Sequence, residues 1–161
     1  MKKLRLLLVD DEREFVETLA DRLKMRDLDA TIANHGEEAL AAVKKEEPDV
    51  IVLDLKMPGI DGIEVLKRVK EAFPNVEVII LTGHGSKKDE EKARKLGAFD
   101  YVNKPADLDA LVSRIRSAFK RKIKKLERAS MAVAFAEAGE FDTAVTMMKD
   151  DDDQAKEGEG D

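Results

Sequence analysis

The stretch that most constrains the fold is Val50–Ile51–Val52–Leu53–Asp54, followed by Leu55–Lys56–Met57–Pro58–Gly59–Ile60–Asp61–Gly62. An uninterrupted apolar run rich in β-branched residues suits a strand buried on both faces, as in a parallel sheet. This one ends on a carboxylate. The Pro–Gly and Asp–Gly pairs then force a tight loop before a helical pattern begins at Ile63. An Asp at the carboxyl edge of such a strand stands where open α/β sheets hold their ligands.

The same alternation repeats along the chain. Leu4–Val9 reads as a first buried strand ending on Asp10 and Asp11. Phe15, Val16, Leu19 and Leu23 recur at helical spacing over residues 13–25. Ala30–Ala33 is a short second strand closed by Asn34–His35–Gly36, with His35 read as a loop residue. Glu37–Lys45 is a helix stopped by Pro48. After the third strand, Ile63, Leu66 and Val69 mark a helix ending near Phe73–Pro74. Val76–Leu81 is a strand ending in Thr82. Lys87–Lys95 is a helix polar nearly all round, closed by Gly97. Phe99–Val102 precedes Asn103–Lys104–Pro105, and Asp107 caps a helix carrying Leu108, Leu111, Val112 and Ile115.

Strands alternating with helices imply parallel βαβ units, so all strand ends share one edge. That edge collects Asp10, Asp11, Asp54, Thr82 and Lys104. Crowded carboxylates repel one another unless a cation sits among them. An all-oxygen set open to water suits Mg²⁺, and a lysine and a hydroxyl suit phosphoryl oxygens. Together they describe phosphoryl transfer with an Asp nucleophile. The bland alternatives are a helix cap for Asp10–Asp11–Glu12, a solvated loop for Lys104 and a strand-end hydroxyl for Thr82. They weaken when all share one edge.

Composition narrows the class. Aromatic residues are 4% and Trp is absent, which suits an aliphatic α/β core better than an aromatic-rich β-sandwich. No cysteine is present, so disulfide and thiolate–metal chemistry are excluded. A formal net charge of −6 does not imply general nucleic-acid binding. Met1–Val9 is too short and charged for a signal peptide, and no stretch approaches membrane-spanning length, so a cytoplasmic protein is expected.

Four motifs carry a family likeness: Leu8–Val9–Asp10–Asp11–Glu12, Asp54 to Gly62, Leu81–Thr82–Gly83–His84, and Asp100–Tyr101–Val102–Asn103–Lys104–Pro105. With them the chain resembles the receiver domain of two-component response regulators over residues 3–120. The resemblance implies a flavodoxin-like, doubly wound five-stranded parallel sheet in the order 2-1-3-4-5. It implies that Asp54 accepts a phosphoryl group from a histidine kinase or a relay phosphodonor. Mg²⁺ would be held by Asp11, Asp54 and the Lys56 carbonyl, with Asp10 acting largely through water. Lys104 would pair with the phosphoryl group, Thr82 would move to hydrogen-bond it, and Tyr101 would rotate inward. Lys56 and His84 are candidates for tuning the lifetime of the phosphate. The Lys104–Pro105 peptide is usually cis in the family. The implied protein is a phosphoacceptor rather than an enzyme, switching the face around the fourth helix, fifth strand and fifth helix.

The apolar stripe Ile115, Phe119, Ile123, Leu126 runs past the expected end of a receiver, and Arg114–Arg128 holds eight Lys/Arg against one Glu. A solvated helix face is the default reading for that charge, with binding to nucleic acid or to an acidic partner as the alternative; no aromatic interleaving or winged-helix pattern supports the nucleic-acid version. Ala129–Ala138, Gly139–Glu140–Phe141 and the residues after them read as helix–turn–helix. This piece resembles the middle of a tetratricopeptide repeat, with Phe135, Gly139, Phe141 and Ala144 at matching positions. A lone hairpin cannot bury its apolar face. It is expected to pack on the receiver, on another protein or on a second copy in a homodimer. The organisation expected is a receiver over 1–120, a helical extension over 121–148 and a disordered acidic tail over 149–161. Two other functions stay open: a Mg²⁺-dependent phosphohydrolase with Asp54 as nucleophile, and an adaptor acting through the basic helix and hairpin.

Overall fold

Uniformly apolar strands need cover on both faces, and the computed structural model supplies it. It describes residues 3–139 and, beyond them, 142, 143, 145, 146, 148 and 149. The strands β1 (Leu6–Val9), β2 (Ala30–Ala33), β3 (Val50–Leu53), β4 (Glu77–Thr82) and β5 (Asp100–Asn103) form one parallel sheet in the order β2-β1-β3-β4-β5. The fold is the flavodoxin-like one. Between the strands lie α1 (Arg13–Lys24), α2 (Gly36–Lys45), α3 (Gly62–Ala72) and α4 (Lys87–Lys95), and α5 (Leu108–Glu137) follows β5.

Side chains alternate across a strand, so each strand feeds two cores. Leu7, Val9, Ile51, Leu53, Val78 and Ile80 pack with Val43 of α2, Val65 and Leu66 of α3 and Ala93 of α4. Leu6, Leu8, Val50, Val52, Ile79 and Leu81 pack with Val16 and Leu23 of α1 and Leu111 and Ile115 of α5. This two-sided burial is why β3 carries no polar residue before Asp54.

Helix ends follow local chemistry. Asp61 accepts from the Glu64 N–H at 2.9 Å and Asp107 from the Ala110 N–H at 3.0 Å. His35 does more than fill a loop: its Nδ1 accepts from the Glu38 N–H at 3.2 Å and caps α2. The polar α4 buries only Ala93 but is held by a reciprocal Ser86–Asp89 capping box.

The differences from the sequence reading are mostly at ends. β1 begins at Leu6 rather than Leu4, and β4 and β5 are each shifted by one residue toward the carboxyl side. The larger difference concerns the extension. Ala129–Ala138 is not a separate helix, because α5 runs unbroken to Glu137. No Gly or Pro lies between Pro105 and Gly139 to stop it. The turn comes at Gly139, whose φ of 86° is in the left-handed region. Phe141 and Ala144 of the hairpin, with the tail from Asp150 onward, lie outside the described residues. The chain forms two compact units, Met1–Phe119 and Lys120–Asp161. Among the described residues no helix is long and apolar enough to cross a membrane.

Candidate functional site

Register brings the site together. Val9 lies opposite Leu53, so the residues that follow, Asp10 and Asp54, emerge side by side. The Asp54 N–H donates to the Val9 carbonyl at 2.9 Å, and the Asp10 N–H to the Ala33 carbonyl at 3.1 Å. On the other side, Thr82 lies opposite Asn103, and the Lys104 N–H donates to the Thr82 carbonyl at 2.9 Å. The ladder is thus extended by one rung at each functional residue. Behind Asp54 the loop folds back so tightly that a Cβ on Gly62 would lie 2.2 Å from the Asp54 carbonyl oxygen. Only glycine fits there.

The carboxylate oxygens of Asp10, Glu12 and Asp54 lie within 4.8 Å of one another. Lys104 Nζ reaches all three acids: Asp10 Oδ2 at 2.6 Å, Glu12 Oε1 at 3.6 Å and Asp54 Oδ2 at 3.9 Å. Its ammonium also sits 4.1 Å from the centre of the Phe15 ring. Asp54 is buried, and its Oδ1 has no hydrogen-bond donor among the described residues. Such an atom is costly to leave unmatched.

The charges respond to this crowding. Burial raises the Asp10 pKa above its ordinary value; the Lys104 hydrogen bond and the Glu12 N–H oppose it, and the Asp54 charge adds to it. Burial opposes the charged form of Lys104, yet its hydrogen bond to Asp10 and the fields of Asp10, Asp54 and Glu12 outweigh that and hold its pKa above the usual lysine value. Three acids against one amine leave an excess of negative charge. The donor set is all oxygen, one oxygen is buried and unmatched, and the site therefore fits a hard divalent cation such as Mg²⁺.

The expected residues do not all converge. Asp10, Asp54 and Lys104 do. Asp11 is exposed and outside the acidic group. Glu12 takes the third place, because the chain turns back after Asp10, whose Oδ1 accepts from the Glu12 N–H at 2.9 Å. Neither Glu12 nor Phe15 stood out in the sequence, where one read as part of a cap and the other as a helix core position. An acid two residues beyond a strand-ending Asp was the available signal. Glu12 is the N-cap residue of α1 but makes no side-chain cap bond, so the capping reading does not account for it.

Thr82 is fully buried at the end of β4, and its Oγ1 accepts from the His84 N–H at 3.4 Å. The His84 and Lys56 side chains are exposed. Tyr101 points inward: it is buried, and its hydroxyl has no partner among the described residues. A Cβ on Gly85 would lie 1.5 Å from that hydroxyl and 2.9 Å from Thr82 Cγ2, so Gly85 makes the slot that Tyr101 fills beside Thr82. The Lys104–Pro105 peptide is cis.

Comparison with known proteins covers this whole edge. The family model of the response regulator receiver domain matches residues 6–116. The transcriptional regulatory protein TrcR of Mycobacterium tuberculosis is 38% identical over 118 residues, 73% of this chain and 46% of that protein. The DNA-binding transcriptional regulator NtrC of Salmonella typhimurium is 38% identical over 110 residues, 68% of this chain and 24% of that protein. The chain thus spans about half the length, or less, of these relatives. Among solved structures, a CheY-like response regulator receiver domain protein from Methanospirillum hungatei matches with a TM-score of 0.74. It is 25% identical, with 77% of this chain and 99% of that one covered. A response regulator receiver domain from Clostridium thermocellum matches with a TM-score of 0.71 at 32% identity, covering 74% of this chain and 96% of that one.

Proposed function

The chain belongs to the response regulator receiver family, and from that premise we propose that Asp54 accepts a phosphoryl group from a histidine kinase or phosphotransfer protein. The observation that carries the reading is the buried, unmatched Asp54 Oδ1 beside Asp10, Glu12 and Lys104. A carboxylate oxygen of Asp54 attacks phosphorus, the P–N bond of the donor phosphohistidine breaks, and the imidazole leaves with the electron pair. The product is an acyl phosphate on Asp54.

This chain's residues supply position and charge. Lys104 needs only a short shift from Asp10 to meet a phosphoryl oxygen. Asp10, Asp54 and, by its position, Glu12 would hold Mg²⁺; the family resemblance adds Asp11 and the Lys56 carbonyl. When bound, Mg²⁺ supplies neutralisation of the phosphoryl oxygens. Thr82 donates its hydroxyl to the new oxygens, and Tyr101, packed beside Thr82, carries that change to the face of α4, β5 and α5. The weakly anchored α4 is the element that responds. Lys56 and His84, exposed at the loops, tune water access to the acyl phosphate. The residues form a receiver over 1–120, an extension over 121–148 and an acidic tail over 149–161. Exposed Met131, Val133, Val145 and Met148 support an extension that pairs with a second copy or a partner protein. The setting is the cytoplasm.

Beryllofluoride with Mg²⁺ imitates the phosphoryl group and tests the reading. Backbone NMR shifts are expected at Asp54, Thr82 and Tyr101 in the native chain and not in Asp54→Asn. A native chain whose resonances do not move refutes the proposal.

A further inference from the structure

A lysine side chain is long and flexible, so an ammonium found at one place needs something to hold it there. Around Lys104 the acids draw it toward Asp10, the shortest contact at 2.6 Å, and away from Asp54 at 3.9 Å. The Phe15 ring is a contact of another kind. A cation over an aromatic face is attracted by the ring quadrupole, without a formal charge that would neutralise it.

We propose that Phe15 is a positioning residue whose ring holds the Lys104 ammonium over the acidic group, ready for the phosphoryl oxygens; this rests on the function proposed for Asp54. The placement is fixed from two sides. Phe15 lies in the first turn of α1 and packs against the core formed by Leu6, Leu8 and Leu81. Lys104 is fixed by its backbone bond to Thr82. The ring thus joins α1 to the end of β5 through one side-chain contact. An aliphatic residue at position 15 would fill the same core but leave the ammonium held by the acids alone. Phe15 also lines a cavity of about 400 Å³ together with Thr18, Leu19, Pro105 and Leu111.

The test uses the full chain with Phe15→Leu, Phe15→Met and Phe15→Tyr. The first readout needs no phosphoryl group: ring-current shielding moves the Lys104 methylene protons beside the ammonium upfield in the native chain and in Phe15→Tyr. That shift is lost in Phe15→Leu and Phe15→Met. The second is the initial rate of Asp54 phosphorylation by acetyl phosphate with Mg²⁺. It is expected to fall roughly three- to tenfold in the two aliphatic variants and to be kept in Phe15→Tyr. Should Phe15→Leu fail to fold, Phe15→Met gives the same comparison with an unbranched, adaptable side chain. Native rates in folded aliphatic variants, or a native spectrum without the upfield shift, overturn the ring's role alone. A native chain that takes up no phosphoryl group defeats the reading of Asp54 and this proposal together.

Discussion

Replacing Gly85 with Ala should drive Tyr101 out of its slot. The added Cβ would lie 1.5 Å from the Tyr101 hydroxyl and 2.8 Å from Cζ, distances no small adjustment relieves. The ring must turn toward solvent. An aromatic side chain buries about 150–250 Å². Exposing roughly 100 Å² of that forfeits about 2.5 kcal/mol at about 25 cal/mol per Å². The hydroxyl, which has no partner inside, regains water and returns about 1 kcal/mol. A net loss of about 1–2 kcal/mol follows, a few degrees in Tm. Tyr101 is the sole tyrosine and there is no tryptophan, so intrinsic emission reports on this ring alone. Acrylamide should quench it weakly in the native chain and strongly in Gly85→Ala. Burial, then the charges of Asp89, Glu90 and Asp54, hold the native phenol above its usual pKa. Native Tyr101 therefore keeps its proton where the unfolded chain has lost it, and stability falls as pH rises above the ordinary tyrosine pKa. That fall should flatten in Gly85→Ala. Equal quenching and equal alkaline titration in both proteins would refute the slot.

Lys104→Met leaves Asp10 and Asp54 buried without their amine and should cost about 3 kcal/mol near neutral pH in urea unfolding. Asp10 would then hold its proton more tightly in the folded chain, so the variant should regain stability as pH falls toward the ordinary carboxylate range. Glu12→Gln removes a charge from the acidic group, and calorimetric Mg²⁺ titration should show affinity lower by about threefold or more. An unchanged affinity, with a loss confined to Asp11→Asn, would assign the third acid to Asp11. Ser86→Ala breaks the capping box of α4 at a local cost of about 1 kcal/mol. Amide exchange should quicken within Lys87–Lys95, while strands exchange as before.

What could be read from the chain depended on whether the cause was local. Val50–Leu53 announced itself because burial on both faces leaves only apolar residues, and strand–helix alternation gave the parallel sheet, while the strand order came only from the family resemblance. The bounds of α4 match the sequence reading despite its polarity, with Gly97 marking its end; the Ser86–Asp89 capping box at its start came only with the structure. Asp10, Asp54 and Lys104 were legible as strand-end residues of one edge. Glu12 and Phe15 were not, because neither ends a strand: the turn after Asp10 brings Glu12 back toward Lys104, and Phe15 meets the ammonium from the first turn of α1. The placement of Asp11 differs for the same reason: adjacent residues at that turn face different ways. In the extension the turn at Gly139 was legible, since no Gly or Pro precedes it after Pro105, and the same uninterrupted run carries α5 through Ala129 to Glu137.

The most direct measurement is acetyl phosphate labelling with and without Mg²⁺, followed by mass spectrometric mapping. One phosphoryl group is expected, on Asp54, dependent on Mg²⁺ and absent from Asp54→Asn. Label at another residue, or none on a folded native chain, would contradict the assignment of this edge to phosphoryl acceptance.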